Sequence, residues 1–402
     1  VLSVVFYHFS IRGFSGGFVG VDVFFVISGF LMTGIIVKGL ETQKFSLLDF
    51  YFARIRRILP GLTGLSIAVI GIGWFLLAPD DYVKMAEHVQ DALVFTSNNT
   101  FRKESGYFDA LSHDKWMLHT WSLSVEWQFY IILPFIIWIS WVVRKSRRLV
   151  CSVLACIALV SLFSCILKTE SDAAKAFYML KYRCWEMIFG GIVYFADAWK
   201  KPSERINKIL FCCGVCLILW PVIFINSGDA WPGYLAIIPV LGASLYIYAS
   251  NSAATINNLS FVQWVGYRSY SIYLWHWPIV VLLAYYQKSN SFFWIFVGIF
   301  VSLLLGGISY RYIEEPARNS SKKKKNTLYV ILLSTVAVFG LAKYLTIAEG
   351  IPARVNESVL RVASEQKNAA KGARDCIFDK DKEMGPLSVS YTHLRAHETV
   401  LD

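Results

Sequence analysis

Charge is scarce in this chain. Asp, Glu, Lys and Arg make up 17% of its 402 residues, against 56% apolar side chains, and the mean hydropathy is +0.49. A soluble domain needs a more polar surface, so the composition argues against a soluble fold. Familiar catalytic signatures are missing too. No GxSxG elbow, Walker loop, HExxH pair or Gly-rich dinucleotide fingerprint occurs, which weighs against hydrolases with such motifs and against ATP-driven pumps. The chain opens without methionine or a basic n-region, so its apolar start is not a cleavable signal peptide. Val1–Phe9 is too short to span a bilayer and reads as a first helix truncated at its beginning. Of eight cysteines, seven lie in or beside apolar spans. Cys212, Cys213 and Cys216 contain a C-x-x-C spacing, but small thiols packing between helices are a plainer account than a redox or metal pair. Cys376 lies in a polar tail with no partner there.

What the sequence does have is apolar blocks of about 20 residues, bilayer-crossing length. They fall at Val1–Phe9, Val19–Val37, Ile58–Ala78, Leu123–Val143, Leu149–Leu167, Tyr178–Phe195, Ile209–Ile225, Tyr234–Ala249, Ser269–Tyr286, Phe292–Tyr312 and Leu328–Leu345. The fold class is therefore all-α, a polytopic membrane helix bundle. The net charge of +11 concentrates in alternate loops, Lys38–Arg57, Arg144–Arg148, Lys200–Lys208 and Arg311–Lys325. That is a topology signal rather than a nucleic-acid signal, and it makes those loops cytoplasmic. Pro79–Thr120, Lys168–Lys181, Asn226–Gly233 and Gln287–Ser291 then face outward, as does the tail after Thr346. Pro79–Thr120 is long enough to be functional, and as an aromatic-rich loop it is expected to pack over the outer mouth.

Ionisable side chains inside membrane spans are costly and usually serve a function. His8, Asp22, His119 and Glu126 fall near one level in the outer half. His8 is the candidate base, because imidazole takes and returns protons near neutral pH. Asp22 either fixes the His8 tautomer, as carboxylates do in triads, or is a first-turn acid favoured by the helix dipole. Glu126 either orients His8, or binds a hydroxyl substrate, or makes an interhelical hydrogen bond. Arg54 and Arg57, spaced R-x-x-R, share a helix face. They either grip phosphate or serve as topogenic charge. His276, in YSIYLWHWP, is assigned to packing. His393 and His397 stand four apart, but Ser388–Asp402 resembles adaptor read-through, so this stretch is read as a non-native tail and no metal is expected.

Seven blocks, in order, resemble the membrane acyltransferase family 3 of bacterial surface-polysaccharide O-acetylases. They are VLSVVFYHF (1–9), GGFVGVDVFFVISGFL (16–31), FSLLDFYFARIRRILP (45–60), SNNTFRKESGYFD (97–109), LHTWSLSVEWQFYIILP (118–134), SYSIYLWHWP (269–278) and SYRYIEEPAR (309–318). The resemblance implies about ten acyltransferase helices plus an additional C-terminal transmembrane helix, as in the subgroup that continues into an external SGNH esterase-like domain. The expected divisions are 1–318 for the membrane domain, 319–345 for a basic linker and extra helix, 346–387 for a periplasmic linker and 388–402 for the tail. It further implies acetyl-CoA as donor, with Arg54 and Arg57 matching the element attributed to coenzyme A or acyl handling. His8 matches the essential first-helix histidine, and Glu126 matches an acidic position in the fourth-helix block. The expected protein is a multi-pass O-acyltransferase of the bacterial inner membrane, with its N-terminus cytoplasmic and its C-terminus periplasmic. Its partners are the lipid bilayer, acyl-CoA and a lipid-linked or lipopolysaccharide O-antigen glycan. The rival readings are a flippase of polyprenyl-linked sugars and a subunit that only relays acyl groups.

Overall fold

The computed structural model describes residues 1–105, 114–199, 203–249, 259–319, 324–361 and 365. Cys376, His393, His397, the 388–402 tail and most of the 346–387 linker lie outside the described residues. The bundle is built from α1 (Leu2–His8), α2 (Gly20–Glu41), α3 (Leu47–Leu76), α4 (Pro79–Leu93), α5 (Ser97–Lys103), α6 (Thr120–Val143), α7 (Arg147–Ser171), α8 (Ala173–Tyr178), α9 (Leu180–Trp199) and α10 (Glu204–Phe224). It continues with α11 (Ile237–Tyr248), α12 (Ser260–Tyr285), α13 (Phe292–Ser309), α14 (Glu315–Asn319) and α15 (Lys324–Ile347). No strand occurs among the described residues. Seven helical stretches there are long and apolar enough to cross a membrane. Lipid offers the backbone no hydrogen-bond partner, so a chain this apolar satisfies its peptide groups within helices.

Two stretches depart from the sequence reading. Pro79–Thr120 is not a plain loop. Pro79 at the first helical position and Asp80 and Asp81 in the first turn favour a helix start. Tyr82, Met85, Ala86, Val89 and Leu93 then recur on one face and are buried. The resulting α4 packs against α3 and α15 rather than lying over a mouth. The R-x-x-R arginines belong to a helix that begins well before the apolar block. Ser46 caps α3, accepting from the Asp49 N–H at 3.2 Å. The cysteines of α10 are a further correction. Cys212, Cys213 and Cys216 are exposed, so they do not pack between helices.

The helix pair that sets the rest is α2 against α9. A Cβ on Gly29 would sit 1.7 Å from the Met187 carbonyl oxygen, and one on Gly190 1.9 Å from that of Val26. With no side chain at these points, the two backbones touch, the close packing that small residues permit inside membranes. The contact brings the first turn of α2, with Asp22, against the first turns of α9, with Arg183 and Glu186. Gly190→Val should force the helices apart. Overpacking of this kind costs about 1–3 kcal/mol or more, so we expect a lower thermal midpoint in detergent, read by unfolding-coupled tryptophan fluorescence. An unchanged midpoint would show that the contact is dispensable.

Candidate active site

At one end of the bundle α1, α2, α6, α9 and α12 enclose a cavity of about 670 Å³. His8, Asp22, His119, Arg183, Tyr273 and Trp277 are among its lining residues. His8 ends α1 and is half-buried. Its Nδ1 lies 3.0 Å from Nε2 of His276, a residue with no exposed surface. The other His276 nitrogen, Nδ1, is 2.5 Å from the Tyr273 carbonyl oxygen. A carbonyl only accepts, so His276 Nδ1 carries the hydrogen. In the neutral ring, Nε2 is then an acceptor, so His8 donates through Nδ1 and keeps its lone pair on Nε2. Trp277 stands edge-on to His8 at 4.8 Å between centroids. Its indole N–H donates to the Lys115 carbonyl at 2.8 Å, which holds the ring in place.

His276 thus takes the orienting role that the sequence suggested for Asp22, and its expected packing role is corrected. Asp22 is fully buried but turned elsewhere: its Oδ1 is 3.1 Å from Arg183 Nη2. Arg183 Nη1 in turn lies 3.0 Å from Glu186 Oε1. The guanidinium also stands 5.6 Å from the ring centre of Phe25 and 5.6 Å from that of Phe177. A cation this deep needs counter-charge, and two carboxylates supply it. Arg183 and Glu186 were missed in the sequence, although both interrupt an apolar span and the cost of buried charge flags them.

Glu126 does not share the level of His8 either. It lies six residues into α6, about 9 Å from the helix start at the standard rise, whereas Asp22 is in the first turn of α2. It accepts from Ser28 Oγ at 2.6 Å and from the Tyr130 hydroxyl. Arg57 and Arg54 are near enough to act on its charge. The interhelical hydrogen bond is what the structure places there. Ser122, Glu126 and Tyr130, four residues apart, make one polar face on α6. This face leads away from the cavity towards the arginine end.

At that end Arg54 is half-buried, and its Nε has no hydrogen-bond partner. Glu314, 3% exposed, accepts from Ser271 and lies within electrostatic reach of Arg318 and Arg57. A π-helical turn at Tyr310–Glu314 directs Glu314 inward. Arg54 and Arg57 therefore face the bundle interior rather than projecting as loop charges. Beyond the membrane helices, burial pushes the Glu104 carboxyl up, but His88 and Lys115 outweigh it and hold the group below the usual carboxylate range. These partners tie α5 to the turn that carries Lys115.

The architecture is that of a polytopic helical membrane protein with histidines around a cavity at one end and arginines at the other. The profile described as "Acyltransferase domain" matches residues 1–312, and the chain belongs to that family. It is 29% identical over 339 residues to "Putative peptidoglycan O-acetyltransferase YrhL" of Bacillus subtilis, covering 79% of this chain and 53% of that protein. It is 30% identical over 371 residues to "O-acetyltransferase OatA" of Staphylococcus aureus, covering 85% of this chain and 61% of that one. The chain thus spans little more than half the length of these relatives. No solved structure matches it.

The Asp22–Arg183–Glu186 cluster makes a direct prediction. Arg183→Met leaves two carboxylates buried together without a cation, a loss of about 3–5 kcal/mol. Adding Asp22→Asn and Glu186→Gln should restore most of the thermal midpoint in detergent. If the triple variant is no more stable than the single one, the cluster does not act through charge balance.

Proposed function

We propose that this chain is the membrane part of an O-acetyltransferase. It moves an acetyl group from acetyl-CoA, bound at the arginine end, to a hydroxyl of a cell-envelope glycan in the histidine cavity. The observation that carries this reading is the polar column between the two ends. A histidine with its Nδ1 occupied and its lone pair on Nε2 lies at the cavity. The α6 face of Ser122, Glu126 and Tyr130 leads from it towards Arg54 and Arg57. Guanidinium groups suit the phosphates of coenzyme A, and the thioester arm would run along the column. His8 Nε2 removes the hydroxyl proton as oxygen attacks the thioester carbonyl.

The relatives bear on the acceptor. One is named for peptidoglycan, and neither name mentions lipopolysaccharide, so peptidoglycan or its lipid-linked precursor replaces O-antigen as the proposed glycan. Charge alternation supports an inner-membrane protein with the arginine end cytoplasmic and the cavity periplasmic. A flippase would have no need of inward-facing arginines beside a buried acid.

In proteoliposomes given acetyl-CoA and a soluble disaccharide of N-acetylglucosamine and N-acetylmuramic acid, His8→Ala should lower acetyl transfer by about 10²–10⁴-fold with acetyl-CoA binding retained. Arg57→Ala should weaken that binding, and Arg57→Lys should not fully rescue it, because an ammonium cannot copy a bidentate fork. Near wild-type transfer by His8→Ala would overturn the mechanism. Unchanged donor affinity in Arg57→Ala would return the arginines to a topological role.

Orientation has its own test. With single cysteines at Gln43 and Ser105 in a cysteine-free background, an impermeant maleimide should label Ser105 on cells whose outer barrier is opened. Gln43 should stay silent until the inner membrane is broken. Labelling of Gln43 in intact cells would collapse the two-sided geometry.

A further inference from the structure

His119 is the one histidine of the cavity that the mechanism above leaves idle. Its residue is 2% exposed, and its ring lines the cavity wall. The Leu274 carbonyl lies near it, yet neither ring nitrogen meets hydrogen-bond geometry with any protein group. Buried polar groups are nearly always paired, so two unmet nitrogens on one buried imidazole call for an explanation. The ring stands 5.9 Å from His276 and 5.6 Å from Tyr273, centroid to centroid. It therefore borders the same histidine that orients His8.

The residue is held firmly. Its backbone carbonyl accepts from the Tyr273 hydroxyl at 2.7 Å, and that hydroxyl is also 2.7 Å from Ser122 Oγ. His119 is the N-cap residue of α6, so its ring sits at the positive end of a 24-residue helix. Burial disfavours the imidazolium form. A neutral ring always carries one N–H, and here that N–H has no protein acceptor. A fixed, uncharged donor at a positive helix end is suited to a negative oxygen that exists only in passing.

We propose that His119 is the oxyanion donor of the acyl transfer, giving its N–H to the thioester carbonyl oxygen. The inference rests on the function proposed above. The acceptor oxygen forms a bond to the carbonyl carbon while His8 Nε2 takes its proton. The carbonyl π pair moves onto oxygen, and His119 holds that charge. As the pair returns, the carbon–sulfur bond breaks, and the thiolate takes the proton from His8. Ester and free coenzyme A result, and both histidines end neutral.

The test compares His119→Phe, which keeps a ring but no donor, with His119→Gln, which keeps an N–H. It uses the whole chain in proteoliposomes, with acetyl-CoA and the same disaccharide as probes. His119→Phe should lower kcat by about 10²–10³-fold, the effect of losing one oxyanion donor. The KM for either substrate should change little, and His119→Gln should recover at least part of the lost turnover. His119→Leu makes the same contrast with Gln if the Phe variant does not fold. Wild-type kcat in the donorless variant beside an inactive His8→Ala would overturn this inference and leave the acetyltransferase reading standing. A raised disaccharide KM with unchanged kcat would overturn it too, since His119 would then grip the ground-state sugar. If His8→Ala and the donorless variant both keep full turnover, the function itself fails.

Discussion

A guanidinium enclosed in a membrane bundle needs partners, and Arg183 meets that need with Asp22 on one side and Glu186 on the other. Most of the cavity's shape follows from this. The pair fixes the first turn of α2 relative to α9, and Gly29 and Gly190 let the two backbones close on it. Phe25, Trp121 and Phe177 gather around the cation, so α6 and α8 are drawn to the same place. His119 begins α6 at this end. The acid expected to serve the base is thus a structural counter-ion, and the work of orienting His8 passes to another imidazole.

Much of the fold was legible, because lipid makes a simple rule. Long apolar blocks become helices, and almost every block found by composition is one. The functional layout was legible only in part. His8, Asp22, Glu126, Arg54 and Arg57 stood out as ionisable groups in or beside apolar runs. Their pairings did not, since these depend on contacts between residues far apart in the chain. His8 meets His276 across 268 positions, and no local pattern encodes that. His276 looked like core because it sits among aromatic residues. Arg183 and Glu186 could have been found by the rule that flagged Asp22. Depth was the weakest inference. Counting from block edges put Glu126 with His8, whereas the true start of α6 places it further inside, where Ser28 and Tyr130 serve it.

The polar groups of this bundle form two neighbourhoods rather than one. Around the cavity, imidazoles with defined hydrogen positions can exchange protons. Around Arg54, Arg57 and Glu314, fixed charges of both signs face inward. Glu126 and Tyr130 join the two on one face of α6. Such a division suits chemistry in which a charged donor is held apart from the bond being made. A single mixed cluster would leave the histidines under the direct field of the arginines.

The π-helical turn at Tyr310–Glu314 has a consequence for how this region can vary. Pro316 has no N–H for the carbonyl four residues before it, at Tyr312, so an ordinary helical register cannot run through here. The wide turn absorbs one extra residue and leaves Glu314 buried and Tyr312 exposed. Removing a single residue would rewind the turn to α and rotate everything after it by about 100°. Glu314 would leave Ser271, and Arg318 would swing away from Arg57. Substitutions in this stretch can be judged one side chain at a time. Insertions and deletions cannot, and chain length here is as constrained as any single residue.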